Sequence, residues 1–180
     1  MTLTEQEYNE YLKAHLGLLF FAGLTTGILP ENTAYEKFLY ADMQLKFQCR
    51  NAFIEDQSLL DEYLELNAAY RTAGEIDILN GFRKIIPGRF IIYNCLKDHA
   101  VFMDAKGEKQ YAVKALGDRF DELIHDFPAV VSTAILPFKD KIIYDGFMSL
   151  EAVVGPNITR NLKEDYKNAR EQNKIIHTLD

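Results

Sequence analysis

The chain has 180 residues, of which 48% are hydrophobic, and none is tryptophan. A globular chain of this length buries about 70% of the surface that its unfolded form exposes, so it can hold a core without a disulfide or a structural metal, and disorder is excluded. The 27 acidic and 20 basic residues give a net charge of -7, which argues against a nucleic-acid backbone or an anionic membrane as the partner.

The N-terminal residues and the cysteines predict a cytoplasmic protein. The first seven residues carry acidic rather than basic side chains, unlike a signal peptide. The most apolar run, residues 16–24, contains two glycines and is shorter than the roughly 20 residues of a membrane span. Cys49 and Cys95 lie in dissimilar apolar surroundings, so we expect free thiols in a reducing compartment, with a disulfide between them as the alternative.

Capping signals predict four helices in the first half of the chain. In each signal a hydroxyl residue precedes an acid by three positions, so that the hydroxyl accepts from a free backbone N–H and the carboxylate reaches back. The pairs are Thr4 and Glu7, Thr33 and Glu36, Ser58 and Asp61, and Thr72 and Glu75. The apolar stripe of the second helix runs from Tyr35 through Met43. Pro87 and Gly88 are expected to end the helical array.

From Arg89 the sequence period changes from helix to strand. Short segments rich in β-branched and aromatic residues alternate there with turn residues. The predicted strands cover residues 90–96, 100–103, 110–114, 129–136 and 141–144. A short helix begins near Gly117, and a final amphipathic helix begins near Thr159. The chain is therefore predicted to be an α+β protein, with an N-terminal helical region packed on a small antiparallel sheet of about five strands and with a C-terminal helix.

The two halves of the chain differ in charge as well as in architecture. Residues 1–88 hold 7 basic and 13 acidic residues, whereas residues 89–180 hold 13 basic and 14 acidic residues. No repeat, low-complexity segment or Gly/Ser linker separates the halves. We therefore expect an N-terminal helical region, 1–88, and a sheet region with a short helix and the C-terminal helix, 89–180, within one composite globular unit.

Motifs that specify a reaction are missing from the sequence. It contains no nucleophile elbow, no glycine-rich phosphate loop and no zinc-protease motif. Cys95 and His99 flank a predicted turn, where they would suit a metal or a nucleophile–base pair, but a core cysteine and a polar turn histidine explain them more simply. With two cysteines and no second pair of ligands at metal spacing, no metal or other cofactor is expected.

One segment, Leu136-Pro-Phe-Lys-Asp-Lys-Ile-Ile-Tyr-Asp-Gly146, resembles the LPFKxKIIYDG hairpin signature of an uncharacterised bacterial protein family of the Firmicutes type. Residues 87–104 resemble the first hairpin of that family, and residues 162–170 and 175–179 resemble its C-terminal helix and tail. Some members carry a SEC-C zinc motif, whose cysteines are absent from this sequence, so the resemblance implies no zinc site. It implies no activity either.

The same segment is interpreted physically as a hairpin with buried strands and an exposed turn. Polar side chains near the ends of its strands are the predicted binding residues: Arg89, Lys139, Lys141, Tyr144 and Asp145. A structural explanation, in which Pro137 and Gly146 fix the backbone and the other residues fill a core, is preferred to a recognition surface.

We expect a non-catalytic interaction or regulatory module that binds a protein partner or a small ligand in a groove between helices and sheet. The alternative is a hydrolase-like enzyme with an atypical site, in which His99, Asp104 or Asp145 would converge with another titratable group. Nucleic-acid binding is the third interpretation, and it requires the basic residues to collect on one face. Membrane association is not expected, and the sequence does not specify an oligomeric state.

Overall fold

The computed structural model describes residues 2–179. The chain is an α+β protein, as predicted, and it divides into two compact units. The helical unit is Gln6–Arg83, and the sheet unit combines the described residues of Met1–Glu5 and Lys84–Asp180. Within the described residues, no helix combines the length and the apolar character that crossing a membrane requires.

The described residues of the N-terminal half form five α-helices and two short 3-10 helices. The α-helices are α1 (Glu5–Thr25), α2 (Tyr35–Leu39), α3 (Met43–Glu55), α4 (Ser58–Asn67) and α5 (Ala73–Gly81). The 3-10 helices, Ala68–Tyr70 and Phe82–Lys84, follow α4 and α5. The helix starts predicted at Thr4, Ser58 and Thr72 are therefore confirmed to within a residue or two, as the starts of α1, α4 and α5.

The capping box predicted at Thr72 is confirmed. Its hydroxyl accepts from the Glu75 N–H at 3.2 Å, and its own N–H donates to Glu75 Oε2 at 2.9 Å. The start of α4 uses a different residue, because Asp56 Oδ1 accepts from the Ser58 N–H at 3.0 Å. Each arrangement satisfies donors that the first turn of a helix leaves free.

The predicted extent of the second helix is wrong, since its apolar stripe belongs to two helices. The chain leaves α2 after Leu39, and Asp42 adopts an extended conformation with φ -64° and ψ 160°. Asp42 Oδ1 then accepts from the Leu45 N–H at 2.7 Å and starts α3. Thr33 caps neither helix, because Ala34 precedes α2 and makes no side-chain cap. A strong N-cap residue outweighs continuous apolar periodicity here.

Aromatic rings fill the centre of the helical unit. The Phe82 ring lies 6.0 Å from the Tyr11 ring and 5.9 Å from the Phe53 ring, between centroids. His15 lies 5.0 Å from Phe82. Burial, helped by the charge of Arg50, lowers the pKa of His15 to about 3, so the imidazole remains neutral within the core.

The described residues of the C-terminal half contain six strands and two α-helices. The strands are β1 (Ile86–Cys95), β2 (Ala100–Asp104), β3 (Gln110–Lys114), β4 (Ala129–Phe138), β5 (Lys141–Val153) and β6 (Ile175–Ile176). The helices are α6 (Phe120–Leu123) and α7 (Pro156–Glu171). The helical array ends at Lys84, close to the predicted end, but Pro87 and Gly88 themselves lie inside β1 and pair with Ala134 and Thr133. Proline is tolerated there because residues 86–89 of β1 pair with β4 and not with β2, which makes this end of the strand an edge.

The sheet is mixed, so the prediction of a purely antiparallel sheet is wrong. Strand β3 runs parallel to β5 over Val113 and Lys114 and parallel to β6 over Gln110 and Tyr111. The antiparallel pairs are β1 with β2, β2 with β3, β1 with β4, and β4 with β5. The first five strands therefore close into a barrel in the order β1-β2-β3-β5-β4, with α6 between β3 and β4, which is the topology of an OB fold.

Side chains cover both faces of the barrel wall at β1 and β2. The inward rings of Phe90 and Phe102 lie 6.0 Å apart, and Phe120 of α6 lies 5.1 Å from Phe102. On the outer face, Val101 and Met103 form a cluster with Leu162 of α7. A helix therefore covers the outer side of these strands.

Gly146 lies within β5 at a φ of +93°, a conformation that side chains rarely adopt, and an added Cβ would lie 3.2 Å from Leu116 Cδ1. We predict that Gly146→Ala lowers the free energy of unfolding by about 1–3 kcal/mol. Gly88→Ala is the matched control, because its Cβ would meet only Phe90 Cε2 at 3.8 Å. Urea denaturation measures both variants, and equal losses in the two would contradict this account of Gly146.

Candidate functional site

A cleft with a volume of about 260 Å³ opens within the helical unit. Five of its lining residues lie on one face of α1, because steps of three or four residues connect them: Lys13, Gly17, Phe20, Phe21 and Leu24. Residues of α2, α4 and the segment after α4 complete the lining: Tyr35, Tyr63, Asn67 and Arg71. At 1.5 Å per residue, the α1 side of the cleft extends about 16 Å from Lys13 to Leu24.

Aromatic rings form the walls of the cleft. Phe20 meets Tyr35 edge to face at 5.2 Å between ring centroids, and Phe21 lies 5.4 Å from Tyr63. Phe20 also lies 5.5 Å from the buried Phe38 of α2, which anchors this wall in the core. Such ring pairs add to the stability that burial provides, so the walls are formed before any ligand arrives.

Arg71 and Tyr63 form the polar end of the cleft. Arg71 Nη2 donates to Tyr63 Oη at 2.5 Å, and the guanidinium carbon lies 5.5 Å from the centroid of the same ring. Arg71 Nη1 lies 3.7 Å from Glu75 Oε1. Tyr63 is buried and the Arg71 side chain is 21% exposed, so these contacts fix the guanidinium at the edge of the cleft.

Glu75 is the buried counter-ion of this polar end. Lys13 Nζ of α1 lies 2.7 Å from Glu75 Oε1, while the Thr72 N–H donates to Glu75 Oε2. The hydrogen bond from Lys13, followed by the one from the Thr72 backbone, lowers the pKa of Glu75 from 4.5 to about 2. Glu75 is therefore ionised at neutral pH, and its oxygens are held by cations and by the cap of α5.

Gly17 allows α1 to approach Tyr63 closely. A Cβ at this position would lie 2.5 Å from Tyr63 Oη and 3.4 Å from Arg71 Nη2. The first of these distances is shorter than any normal contact, so a larger residue would displace the tyrosine hydroxyl from its bond with Arg71. Gly17, in the apolar run of α1, thus leaves the space that the Tyr63 hydroxyl occupies beside the cleft.

The two tyrosines of the cleft keep their phenolic protons. Burial raises the pKa of Tyr35 and of Tyr63, although the charge of Arg71 opposes the shift in both. Both phenols are therefore protonated at neutral pH. A protonated phenol donates a hydrogen bond and does not serve as a base.

The residues that the sequence marked for binding lie in the sheet unit, and the structure separates them into two places. Arg89 lies in β1 and forms an ion pair with Glu151 at 2.5 Å, and Ser132 donates to the same carboxylate. Arg89 pairs with Ser132 of β4, whereas Lys139 follows the end of that strand at Phe138. The seven residues from Ser132 to Phe138 span about 20 Å of strand.

The other four residues lie at or near the β4–β5 turn. Lys139 has a φ of 54° in the turn, and its Nζ lies 5.2 Å from the Phe138 ring. Lys141 is half-buried beside Asp140 at 3.5 Å. Tyr144 and Asp145 are buried, and Asp145 Oδ1 accepts from the Phe147 N–H at 3.2 Å. These contacts support the structural explanation of the hairpin, and a binding role for its residues stays a prediction.

Cys95 and His99 lie on either side of the β1–β2 turn, as predicted. Burial first, and then the charge of Asp121, raises the pKa of Cys95 to about 12, so the thiol is protonated and a poor nucleophile. The His99 ring lies 5.6 Å from that of His177, and burial with the charge of His177 lowers the pKa of His99. Among the described residues, no group of three or more His, Cys, Asp or Glu side chains could hold a metal ion.

Sequence reasoning missed the residues of the cleft. It placed Tyr35 on an apolar stripe as a core residue, and Lys13 and Arg71 had no signal of their own. A partial signal exists in α1, where Lys13 shares a helix face with Gly17 and the phenylalanines. The residues contributed by α2 and α4 come from distant parts of the sequence, so local periodicity does not bring them together.

The barrel topology invites comparison with OB folds, which bind oligonucleotides mainly on the outer face of their second and third strands. In this chain α7 packs on the neighbouring outer face of β1 and β2, where the Tyr93 and Tyr166 rings lie 5.2 Å apart. A fold by itself does not assign a function. The barrel therefore adds no support to nucleic-acid binding.

Comparisons with protein-family models, with curated proteins and with solved structures found no match to this chain. The resemblance of the Leu136–Gly146 segment to a bacterial family therefore stays a prediction.

Glu75 makes the stability of the helical unit depend on pH. Because its pKa is lower in the folded protein than in the unfolded chain, its stabilisation is present above about pH 4.5 and is lost as the pH falls towards 2. We predict that wild type loses about 2 kcal/mol more than Glu75→Gln between pH 5 and pH 2. The measurement is urea denaturation followed by circular dichroism, with the exposed Glu62→Gln as the control. Parallel pH curves for wild type and Glu75→Gln would contradict the assignment.

Proposed function

We propose that this protein is a non-catalytic binding module whose helical unit takes a small ligand in the cleft beside α1. The observation that carries the proposal is the combination of a concave, largely apolar lining with fixed polar groups at one end. Small-molecule sites have this composition, in which apolar walls supply the burial and a few polar groups orient the ligand. A concave site of this size favours a small ligand over a protein partner.

The protonation states of the cleft residues support binding rather than catalysis. Tyr35 and Tyr63 are protonated donors, and Glu75 is an ionised carboxylate already occupied by Lys13 and Thr72. The described lining residues include no cysteine, histidine or carboxylate that could serve as nucleophile or base. Fixed charges and donors of this kind recognise a ligand without transferring a proton.

We also propose that the protein works in the cytoplasm. Cys49 is buried and Cys95 is half-buried, and both are free thiols. Free cysteines are typical of a reducing compartment, which supports this location.

The absence of tryptophan from the sequence allows a specific fluorescence test of the cleft. Phe21→Trp places a fluorophore on the cleft wall, and Tyr166→Trp places one on α7 of the sheet unit. We predict that at least one compound in a metabolite library raises the unfolding temperature of wild type and changes the emission of Phe21→Trp alone.

The control is the emission of Tyr166→Trp with the same compounds. If no compound stabilises wild type, or if every stabilising compound changes only the Tyr166→Trp signal, the helical cleft is not the ligand site.

A further inference from the structure

The polarity of the cleft changes along α1. Lys13 lies at one end, Leu24 lies at the other, and Phe20 and Phe21 lie between them. At the Lys13 end, Glu75 makes ionic contacts with both Lys13 and Arg71. Arg71 also donates a hydrogen bond to the hydroxyl of Tyr63. A bound molecule would therefore meet charge at one end and aromatic and aliphatic side chains along the rest of its length.

The charged end carries one excess positive charge. Lys13 and Arg71 are cations, and among residues 2–179 Glu75 is the carboxylate that contacts them both. Glu75 lies 2.7 Å from Lys13 Nζ but 3.7 Å from Arg71 Nη1, which is longer than a hydrogen bond. The charge of Arg71 is thus the less completely neutralised of the two.

The guanidinium of Arg71 also has unused donors. Its Nη2 donates to Tyr63, but its Nε is buried and has no hydrogen-bond partner within the described part of the chain. A buried donor without a partner costs free energy, so an acceptor placed against the guanidinium gains affinity. Carboxylates suit this geometry because they accept two parallel N–H bonds from one guanidinium.

From this arrangement we infer that the cleft binds a small monocarboxylate with an apolar body, its carboxylate at the end formed by Lys13 and Arg71 and its body against Phe20, Phe21 and Leu24. The inference rests on the proposed function, since it names the class of ligand for the same cleft. Tyr35 lines the cleft and its phenol is protonated, so this residue adds a neutral donor of a hydrogen bond to an anion.

Size and charge restrict the ligand further. A volume of 260 Å³ corresponds to about nine waters of about 30 Å³ each, so the ligand has on the order of ten non-hydrogen atoms within the cleft. A single excess positive charge matches a carboxylate and not the second charge of a phosphate monoester. Medium-chain alkanoates and short aryl-alkanoates have the required size, charge and apolar body.

Isothermal titration calorimetry of the full chain tests this inference with octanoate and 3-phenylpropanoate as the probes. Octan-1-ol, octylamine and octyl phosphate share the alkyl body of octanoate and differ in the charge of the head group. We expect octanoate to bind at least tenfold more tightly than octan-1-ol and octyl phosphate, and we expect octylamine to show no binding. The affinity for octanoate should fall as salt rises, because part of it is electrostatic.

Two substitutions locate the carboxylate. Lys13→Met should weaken octanoate binding about tenfold and octan-1-ol binding much less, while Lys13→Arg should keep most of the octanoate affinity. The Lys13 side chain is 65% exposed, so these variants are expected to fold, and thermal melting verifies it. Lys37→Met is the matched control, since it removes an exposed cation of α2 outside the cleft. Arg71→Lys keeps the charge but loses the paired donors, and it should weaken octanoate binding as well.

Equal binding of octanoate and octan-1-ol would overturn the inference, and so would preferred binding of octylamine or octyl phosphate. Equal effects of Lys13→Met and Lys37→Met would also overturn it. The proposed function fails separately: if a neutral or cationic compound changes the Phe21→Trp emission, the cleft is a ligand site and only the carboxylate assignment is wrong. If no compound binds in either experiment, both are wrong.

Discussion

The contact between Lys13 of α1 and the buried carboxylate of Glu75 is the interaction on which the helical unit's cleft depends. Glu75 also closes the capping box of α5 with Thr72, so one side chain starts a helix and neutralises a cation on another. Arg71 lies between Glu75 and Tyr63, which extends the same set of contacts to α4. A buried charge is stable only when partners satisfy it, so these residues constrain one another's positions.

This arrangement also explains how an acidic helical region could favour an anion. Residues 1–88 hold 13 acidic and 7 basic residues, and their summed field repels negative charge at long range. At physiological salt that repulsion is screened beyond about 8 Å, whereas contact with Lys13 and Arg71 is local. The repulsion from the acidic residues penalises a dianion more than a monoanion. Burial against Phe20 and Phe21 must therefore supply most of the affinity, and the charges mainly set the orientation and selectivity.

The sequence predicts those parts of the fold that depend on neighbouring residues. The capping box at Thr72 and the strand segments after Arg89 are local signals, and the structure contains both. The break at Asp42 was missed because a polar residue inside an apolar stripe also fits the exposed face of one long helix. The parallel pairing of β3 with β5 was missed because it rests on two residue pairs between strands that are distant in sequence.

The candidate site was harder to predict than the fold. The sequence predicts Lys139, Lys141 and Asp145 of the hairpin as binding residues because charges and turn residues are easy to recognise in a sequence. The cleft, in contrast, is assembled from helices far apart in the chain, and its aromatic residues have the same spacing as ordinary core residues. The position of Gly17 against Tyr63 shows that α1 approaches α4 closely enough to build it.

The most direct test of the central claim is a titration of the isotope-labelled protein with octanoate, followed by amide NMR. A ligand in the cleft predicts saturable shifts at Gly17, Phe21 and Leu24 of α1, while Gly88 of β1 stays unchanged. Shifts confined to the β4–β5 turn at Lys139 and Lys141, or no saturable shift at all, would contradict the account.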